Sequence, residues 1–236
     1  MSNTLKYFFE PRSVAIIGAS KTPGKAGNEI LKNIVANGFA GKVFPINPSE
    51  EDIMGFRTFR SVKDIPEPVD LAVFIVPAEK TLEPLKECAE KKVPAVVIVS
   101  GGYAEVGHQG ARLQEEILAV AKAAGMRIIG PNTSGLTSTP ASLTTTFFPL
   151  GKIRRGPISY IAQTGNFATH TMKWILTGEN FGVARVAGLG NKIDVEDAEV
   201  LDYLGQDPET KAILMYVEGF RDARRFFEVA RNVTNK

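Results

Sequence analysis

At 236 residues, with 44% apolar and 23% charged side chains, the chain is long enough for one large or two modest domains with a real core, in the composition range of globular proteins. Its 28 Lys and Arg are interspersed among 26 Asp and Glu, a net charge of +2; this gives no basic stripe for a nucleic-acid backbone, and the one basic pair, Arg154-Arg155, reads as a solvated turn. The single cysteine, Cys88, excludes an internal disulfide framework and fits a reducing, cytoplasmic setting; no apolar run approaches the ~20 residues of a membrane span, and residues 1–10 lack a signal-peptide pattern.

The first expected element is a buried strand, Ser13-Val14-Ala15-Ile16-Ile17. It runs into Gly18-Ala19-Ser20-Lys21-Thr22-Pro23-Gly24-Lys25-Ala26-Gly27 and a helix over residues 24–37. Strand, glycine-rich turn and helix N-terminus form a phosphate cradle, because the first helical N–H groups lack internal partners. In the dinucleotide version an acidic residue about 20 positions on takes the ribose hydroxyls. The next strand here, residues 42–46, ends instead in Asn47-Pro48-Ser49, and five residues separate Gly18 from Gly24. A longer loop, a neutral tip and the cations Lys21 and Lys25 suit a ligand with extra phosphate charge, such as coenzyme A. The same glycines also fit a purely structural reading, in which Gly18 turns the strand and Gly27 lets the helix pack on the sheet.

Strands expected at residues 70–76, 94–99 and 126–129, with helices at 79–92 and 109–124, complete a five-stranded doubly wound parallel sheet. Open sheets of this kind bind ligands at the carboxyl ends of their strands. Besides the first turn, that edge carries Asn47-Pro48-Ser49, Val76-Pro77-Ala78, Ser100-Gly101-Gly102-Tyr103 and Gly130-Pro131-Asn132. Pro77 and Ala78 suit the flank of a flat adenine, and Ser100 and Gly101 offer backbone N–H groups without obstruction. Each turn also serves as plain punctuation.

A Ser/Thr-rich passage, residues 133–146, then breaks the alternation and ends in Phe147-Phe148-Pro149-Leu150-Gly151, which places the expected domains at 1–145 and 150–236. Beyond it come strands at 157–162, 183–187 and 212–217 and helices at 166–177, 195–205 and 222–233. Three strand–helix pairs are few for an open sheet, so the chain reads as one part of a larger protein or assembly. The strand edge left over suits a homo-oligomer.

Taken together, Phe8-Phe9-Glu10-Pro11-Arg12-Ser13-Val14-Ala15-Ile16-Ile17-Gly18-Ala19-Ser20, Gly41-Lys42-Val43-Phe44-Pro45-Ile46-Asn47-Pro48, Val69-Asp70-Leu71-Ala72-Val73 and Gly130-Pro131-Asn132 resemble the CoA-binding half of NDP-forming acyl-CoA synthetases. These belong to the succinyl-CoA synthetase superfamily, and the resemblance runs in order over essentially the whole chain. It implies an α/β protein: a CoA-binding Rossmann-like parallel-sheet domain followed by a flavodoxin-like ligase domain, incomplete here. It also implies a ligase that interconverts acyl-CoA, ADP or GDP and phosphate with acid, CoA and ATP or GTP, through an acyl phosphate and a phosphohistidine. ADP or GDP with Mg would sit on an ATP-grasp β subunit or domain. Carried over by position, CoA would be held by Gly18, Ser20, Pro23, Gly24, Lys25, Asn47, Pro48, Pro77, Ala78, Ser100, Gly101 and Asn132. Gln163-Thr164-Gly165-Asn166 matches the family's phosphate-binding turn, and Glu218 matches a catalytic carboxylate that contacts the histidine ring. Thr164 as a simple helix N-cap stays open beside that reading.

The resemblance has departures. The phosphorylated histidine belongs to a Ser-His-Thr-Gly or Gly-His-Ala-Gly loop that this chain lacks, and its only histidines are His108, read as a solvated loop residue, and His170, read as a packing residue. Thr133 stands where the family commonly has cysteine. Trp174, Phe181 and the Gly188-Leu189-Gly190-Asn191 turn are candidates for the acid pocket, although the acid itself is not named. The chain alone is therefore expected to be inactive. The alternative is a CoA-binding regulatory module of a protein lysine acetyltransferase. An NAD-dependent oxidoreductase is disfavoured by the neutral Asn47 tip.

Overall fold

A computed structural model describes residues 3–165, 171 and 181–234. One turn of helix, α1 (Lys6–Phe9), precedes β1 (Ser13–Ile17), α2 (Ala26–Asn37) and β2 (Lys42–Ile46). A small hairpin, β3 (Asp52–Ile53) and β4 (Phe56–Arg57), is followed by β5 (Leu71–Phe74), α3 (Leu82–Glu90), β6 (Ala95–Ile98), α4 (His108–Ala123) and β7 (Arg127–Ile129). Strands β2-β1-β5-β6-β7 form one sheet, parallel throughout. This is the sheet expected from the alternation of apolar runs and helix-length segments.

Its strands read as continuous apolar runs because both faces are covered. Val14, Ile16, Leu71, Val73 and Val97 enter one core with Ile30, Leu31 and Ile34 of α2. Their neighbours Ala15, Ile17, Ala72, Phe74 and Ile98 enter the other core with Leu85 and Cys88 of α3 and Ile117 of α4. Period-two alternation thus divides each strand between two helical layers. Fully burying each Val, Leu, Ile or Phe contributes about 1.5–3 kcal/mol. Cys88 is fully buried rather than half-buried, and that burial pushes its thiol pKa up.

The second sheet departs from expectation. It contains β8 (Leu136–Ser138), β9 (Leu143–Thr144), β10 (Arg155–Ala162), β11 (Val183–Gly188) and β12 (Ala212–Tyr216), in the order β12-β10-β11-β8-β9. The helices described beside it are α5 (Asp197–Gln206) and α6 (Ala223–Thr234). Strand β10 pairs parallel with β11 and β12, whereas β8 runs antiparallel to β11 and to β9. The Ser/Thr-rich passage read as a boundary therefore supplies two strands, giving five where three were expected. Its hydroxyls are satisfied internally: Thr137 and Thr144 Oγ1 lie 2.8 Å apart, and Thr145 Oγ1 accepts the Leu136 N–H at 2.9 Å. Threonine is β-branched and packs well on a pleated surface once its hydroxyl has a partner.

Arg185 of β11, 2% exposed, ties the first helix to this sheet. It donates to Asp207 at 2.8 and 3.1 Å, to Ser138 Oγ at 2.8 Å and to Glu10 Oε1 at 2.6 Å. Its guanidinium stands over the stacked rings of Phe9 and Tyr203. Phe8 and Phe9 are fully buried, in a core that continues from the first sheet into Ile161 and Ala187 of the second and Leu201 of α5. At the other end of the sheet, β12 and its surroundings leave Leu214, Tyr216, Phe220 and Phe227 exposed. No helix among the described residues is long and apolar enough to cross a membrane.

Candidate functional site

The turn at the carboxyl end of β1 is braced by its neighbours. At Gly18, φ is +94° and a Cβ would stand 2.8 Å from the Ile75 carbonyl, so only glycine fits. Asn28 Nδ2 donates to the Ser20 carbonyl at 2.9 Å, and Ser20 Oγ accepts the Thr22 N–H at 3.1 Å. Asn47 Nδ2 donates to the Ala19 carbonyl at 2.8 Å while its Oδ1 accepts the Ser49 N–H at 2.8 Å. Its amide therefore locks the β2 tip onto the turn. The tip is also less neutral than its sequence suggests, since Glu50 reaches it and pairs with Lys21 at 2.6 Å. Lys25, exposed at the start of α2, is the turn's cation without an ion pair among the described residues. Pro23 and Gly24 are exposed with it; Gly24 has φ +81° and nothing within 4 Å of where a Cβ would point.

The remaining first-sheet candidates lie along the same edge. Pro48 and Pro77 are exposed, whereas Ala78 is 6% exposed and packs in the core beside them. Gly101 is exposed, and the Ser100 hydroxyl is buried without a hydrogen-bond partner among the described residues. Asn132 is exposed at φ +58°, and its N–H donates to the Ser100 carbonyl at 3.0 Å. Glu105 holds this loop by accepting from the Gly102 and Tyr103 N–H groups and from Asn191 Nδ2. Burial pushes the Glu105 carboxyl up, but the bonds from Asn191 and the backbone together outweigh it and set its pKa below the ordinary value. An open glycine backbone, an exposed lysine and the buried Ser100 hydroxyl on one edge fit a long ligand carrying phosphates and hydrogen-bonding groups.

The carboxyl edges of the two sheets meet. Asn191 N–H donates to the Pro131 carbonyl at 2.9 Å, and Thr133 Oγ1 donates to the Gly188 carbonyl at 2.6 Å. At this junction Gln163, 7% exposed at the end of β10, is hydrogen-bonded on every side. Its Nε2 donates to Asp197 Oδ1 at 3.0 Å and to the Gly219 carbonyl at 2.7 Å. Its Oε1 accepts the N–H groups of Glu218 and Gly219 at 2.8 and 3.1 Å. Lys192 Nζ adds bonds of 2.7 Å to both Asp197 and the Gly219 carbonyl. The Gln163 side chain is thus engaged in fixing the Glu218 loop. Arrangements this fully satisfied rigidify what they hold.

A cavity of about 350 Å³ opens beside this network. Of the sequence-derived candidates it brings together Asn132, Thr133, Gln163, Thr164, Gly165 and Glu218. Gly190 and Asn191 also line it, as expected for the turn after β11. Phe181 does not; it packs with Ile153 and Tyr160 in a separate small core, because its place before β11 puts it at the opposite end of that strand. His108 begins α4, is exposed and is not among the lining residues. Asn166, His170 and Trp174 lie outside the described residues. Sequence reasoning missed Lys192 and Asp197, whose pairing has no local signature. It also missed Phe147 and Phe148 as lining, although two adjacent aromatics in a polar passage with no strand period were a usable signal.

Comparison with known proteins agrees with this geometry. A family model described as a CoA binding domain matches residues 12–139, and one described as a succinyl-CoA ligase like flavodoxin domain matches residues 155–236. The chain belongs to the NDP-forming acyl-CoA synthetase superfamily. The chain is 42% identical, over 99% of its length, to the α subunit of an ADP-forming acetate–CoA ligase I of Pyrococcus furiosus, of which it covers 51%. It is 44% identical, over 96% of its length, to ADP-forming acetate–CoA ligase II of Archaeoglobus fulgidus, of which it covers 34%. The acetyl-coenzyme A synthetase 1 of Ca. Korarchaeum cryptofilum, solved with phosphate and ADP, superposes with a TM-score of 0.93 at 38% identity. That match covers 98% of this chain and 49% of the solved one, so the chain spans between about a third and about half of these relatives' length.

Proposed function

We propose that this chain is the CoA-binding, α-type part of an ADP-forming acid–CoA ligase that acts on a small carboxylic acid and works only with an ATP-grasp partner. The observation that carries this reading is the convergence of residues 163–165, Glu218 and residues 132–134 on one cavity at the joined sheet edges. CoA would lie along the first sheet's edge, with its phosphates at Gly24 and Lys25 and further contacts from Gly18, Ser20, Pro23, Asn47, Pro48, Pro77, Ala78, Ser100, Gly101 and Asn132. When bound, it supplies the thiol that accepts the acyl group. Thr164 and Gly165, continuing into Asn166, would hold a phosphoryl group at the head of the second turn. Glu218, its backbone fixed by Gln163, would orient a histidine supplied from outside this segment. Nucleotide and Mg belong to the partner in this reading, the working boundary between CoA and ligase domains falls near residues 145–150, and the setting is cytoplasmic. The exposed β12 edge is the surface proposed for any homo-oligomer. No observation favours the acetyltransferase-module alternative.

Titration calorimetry with CoA and NAD tests the first half of this reading. CoA is expected to bind, and tighter binding of NAD would overturn the assignment. Thioester formation from short-chain acids, CoA and ATP tests the second half. The chain alone should give none, and robust turnover without a partner would refute it.

A further inference from the structure

The cavity at the joined sheet edges is chemically lopsided. Among the described residues its apolar lining comes from three side chains, Val99, Phe147 and Phe148; the other described lining residues are polar or glycine. A ligand that fills it would meet polar groups over most of its surface and an apolar one at these three side chains.

The two phenylalanines are not equivalent. Their rings lie 4.2 Å apart, centroid to centroid, at 31°. Phe147 packs against the core shared by both sheets, whereas Phe148 belongs to none of the core clusters and keeps its ring for the cavity. Phe148 is nonetheless held in place. Asn33 of α2, only 2% exposed, donates from Nδ2 to the carbonyls of Thr146 at 2.9 Å and Phe148 at 2.7 Å. One helical turn on, Asn37 donates to the Gly151 carbonyl at 2.9 Å and accepts the Ile153 N–H at 2.9 Å. The segment is pinned on both sides of the ring to one face of the helix that begins at the glycine turn. A pinned segment does not recoil to admit a larger ligand, so the ring itself sets the space.

We infer that Phe148, backed by Phe147 and fixed through Asn33, is the specificity-determining residue for the acid. It bounds the apolar part of the cavity, so the size of the side chain at position 148 sets how bulky an acyl group can be seated there. This rests on the cavity being the acyl-phosphate site of the proposed ligase. Exclusion here works by overlap rather than by lost attraction, so removing the ring should admit larger groups without weakening the grip on the head.

The test is calorimetry on the full chain with phosphonates as acyl-phosphate stand-ins: methylphosphonate, propylphosphonate and benzylphosphonate. Inorganic phosphate serves as the head-group reference and CoA as an independent ligand. In the wild type, benzylphosphonate should bind about tenfold or more weakly relative to methylphosphonate. In Phe148→Ala it should gain about tenfold, with inorganic phosphate and CoA changed by less than about twofold, and Phe148→Leu should fall between. Thermal melting of each variant confirms the fold, and the leucine variant carries the test if the alanine one does not fold. The inference is overturned if benzylphosphonate binds the wild type as well as methylphosphonate does, or if neither substitution changes the ranking. Failure of every phosphonate to bind a chain that still binds CoA also overturns it and leaves the CoA assignment standing. Failure of CoA alone counts against that assignment instead.

Discussion

Two turns of this chain, residues 18–27 and residues 163–165, both follow the carboxyl end of a strand with parallel neighbours, and they are built on opposite plans. In the first, Asn28 and Asn47 brace the backbone from behind while Pro23, Gly24 and Lys25 face solvent. In the second, one buried side chain, Gln163, makes four hydrogen bonds that join Asp197 to the loop carrying Glu218. The difference matches two tasks. A long ligand held by many modest contacts tolerates an open, solvated turn, whereas groups that must meet reacting atoms lose rate steeply when misplaced by an ångström.

The contrast is broken most severely at Gln163. Replacing it with leucine leaves Asp197 Oδ1 and two backbone N–H groups without this partner, while the Gly219 carbonyl keeps Lys192 Nζ. At about 1–3 kcal/mol per buried unsatisfied group, offset where water reaches the exposed Gly219, urea unfolding should show a loss of about 3 kcal/mol. CoA affinity should hardly change, and an equal loss of both would show that the turns are one unit. Lys25→Glu tests the other side. CoA binding should weaken about tenfold, equivalent to ~1.4 kcal/mol, with less difference at high salt and folding stability altered by under about 0.5 kcal/mol. A CoA affinity unaffected by this charge reversal would remove the turn from the binding site.

A smaller effect is expected at Gly24. Its φ of +81° disfavours any L side chain, while the space beside it is empty. Gly24→Ala should therefore cost about 1–2 kcal/mol of conformational strain without a steric clash, and it should weaken CoA by crowding the backbone. Acid sharpens the comparison least but tests its border, where Glu105 couples the loop at residues 100–103 to Asn191. Because the folded pKa of Glu105 lies below its ordinary value, its contribution to stability is present above that ordinary value and is lost as pH falls through the folded pKa. Hydrogen exchange at the Gly102 and Tyr103 amides should quicken in that acid range in the wild type. In Glu105→Gln, which cannot ionise, the acid-linked part of that quickening should vanish.

The first sheet and its glycine turn were legible because strand period, helix length and glycine punctuation all agree there. The second sheet was only partly legible. Residues 136–144 look like linker, and what makes them strands is pairing with β11 and hydroxyl partners that lie in other segments, among them the Gly188 carbonyl that Thr133 reaches. The candidate site divides in the same way. Gln163 and Glu218 were singled out by position, but the task of Gln163 depends on Asp197 and Gly219, which are 34 and 56 residues away. No local pattern encodes such partners. Lys21 shows the same limit, since its neutralisation by Glu50 is visible only once β2 lies beside β1.

The clamp around Arg185 sets an order of events during synthesis. Glu10 and Phe9 leave the ribosome early, yet the guanidinium that they engage lies 175 residues behind Glu10. At roughly 5–20 residues per second, the first helix waits about 10–35 s for its partner. Throughout that interval Phe8 and Phe9, fully buried in the finished protein, lack much of their cover. Nascent chains arrested before residue 185 should expose residues 6–10 to protease, and chains extended past Asp207 should protect them. The helix at residues 6–9 is thus made before the sheet it packs on, yet it is among the last elements to be completed.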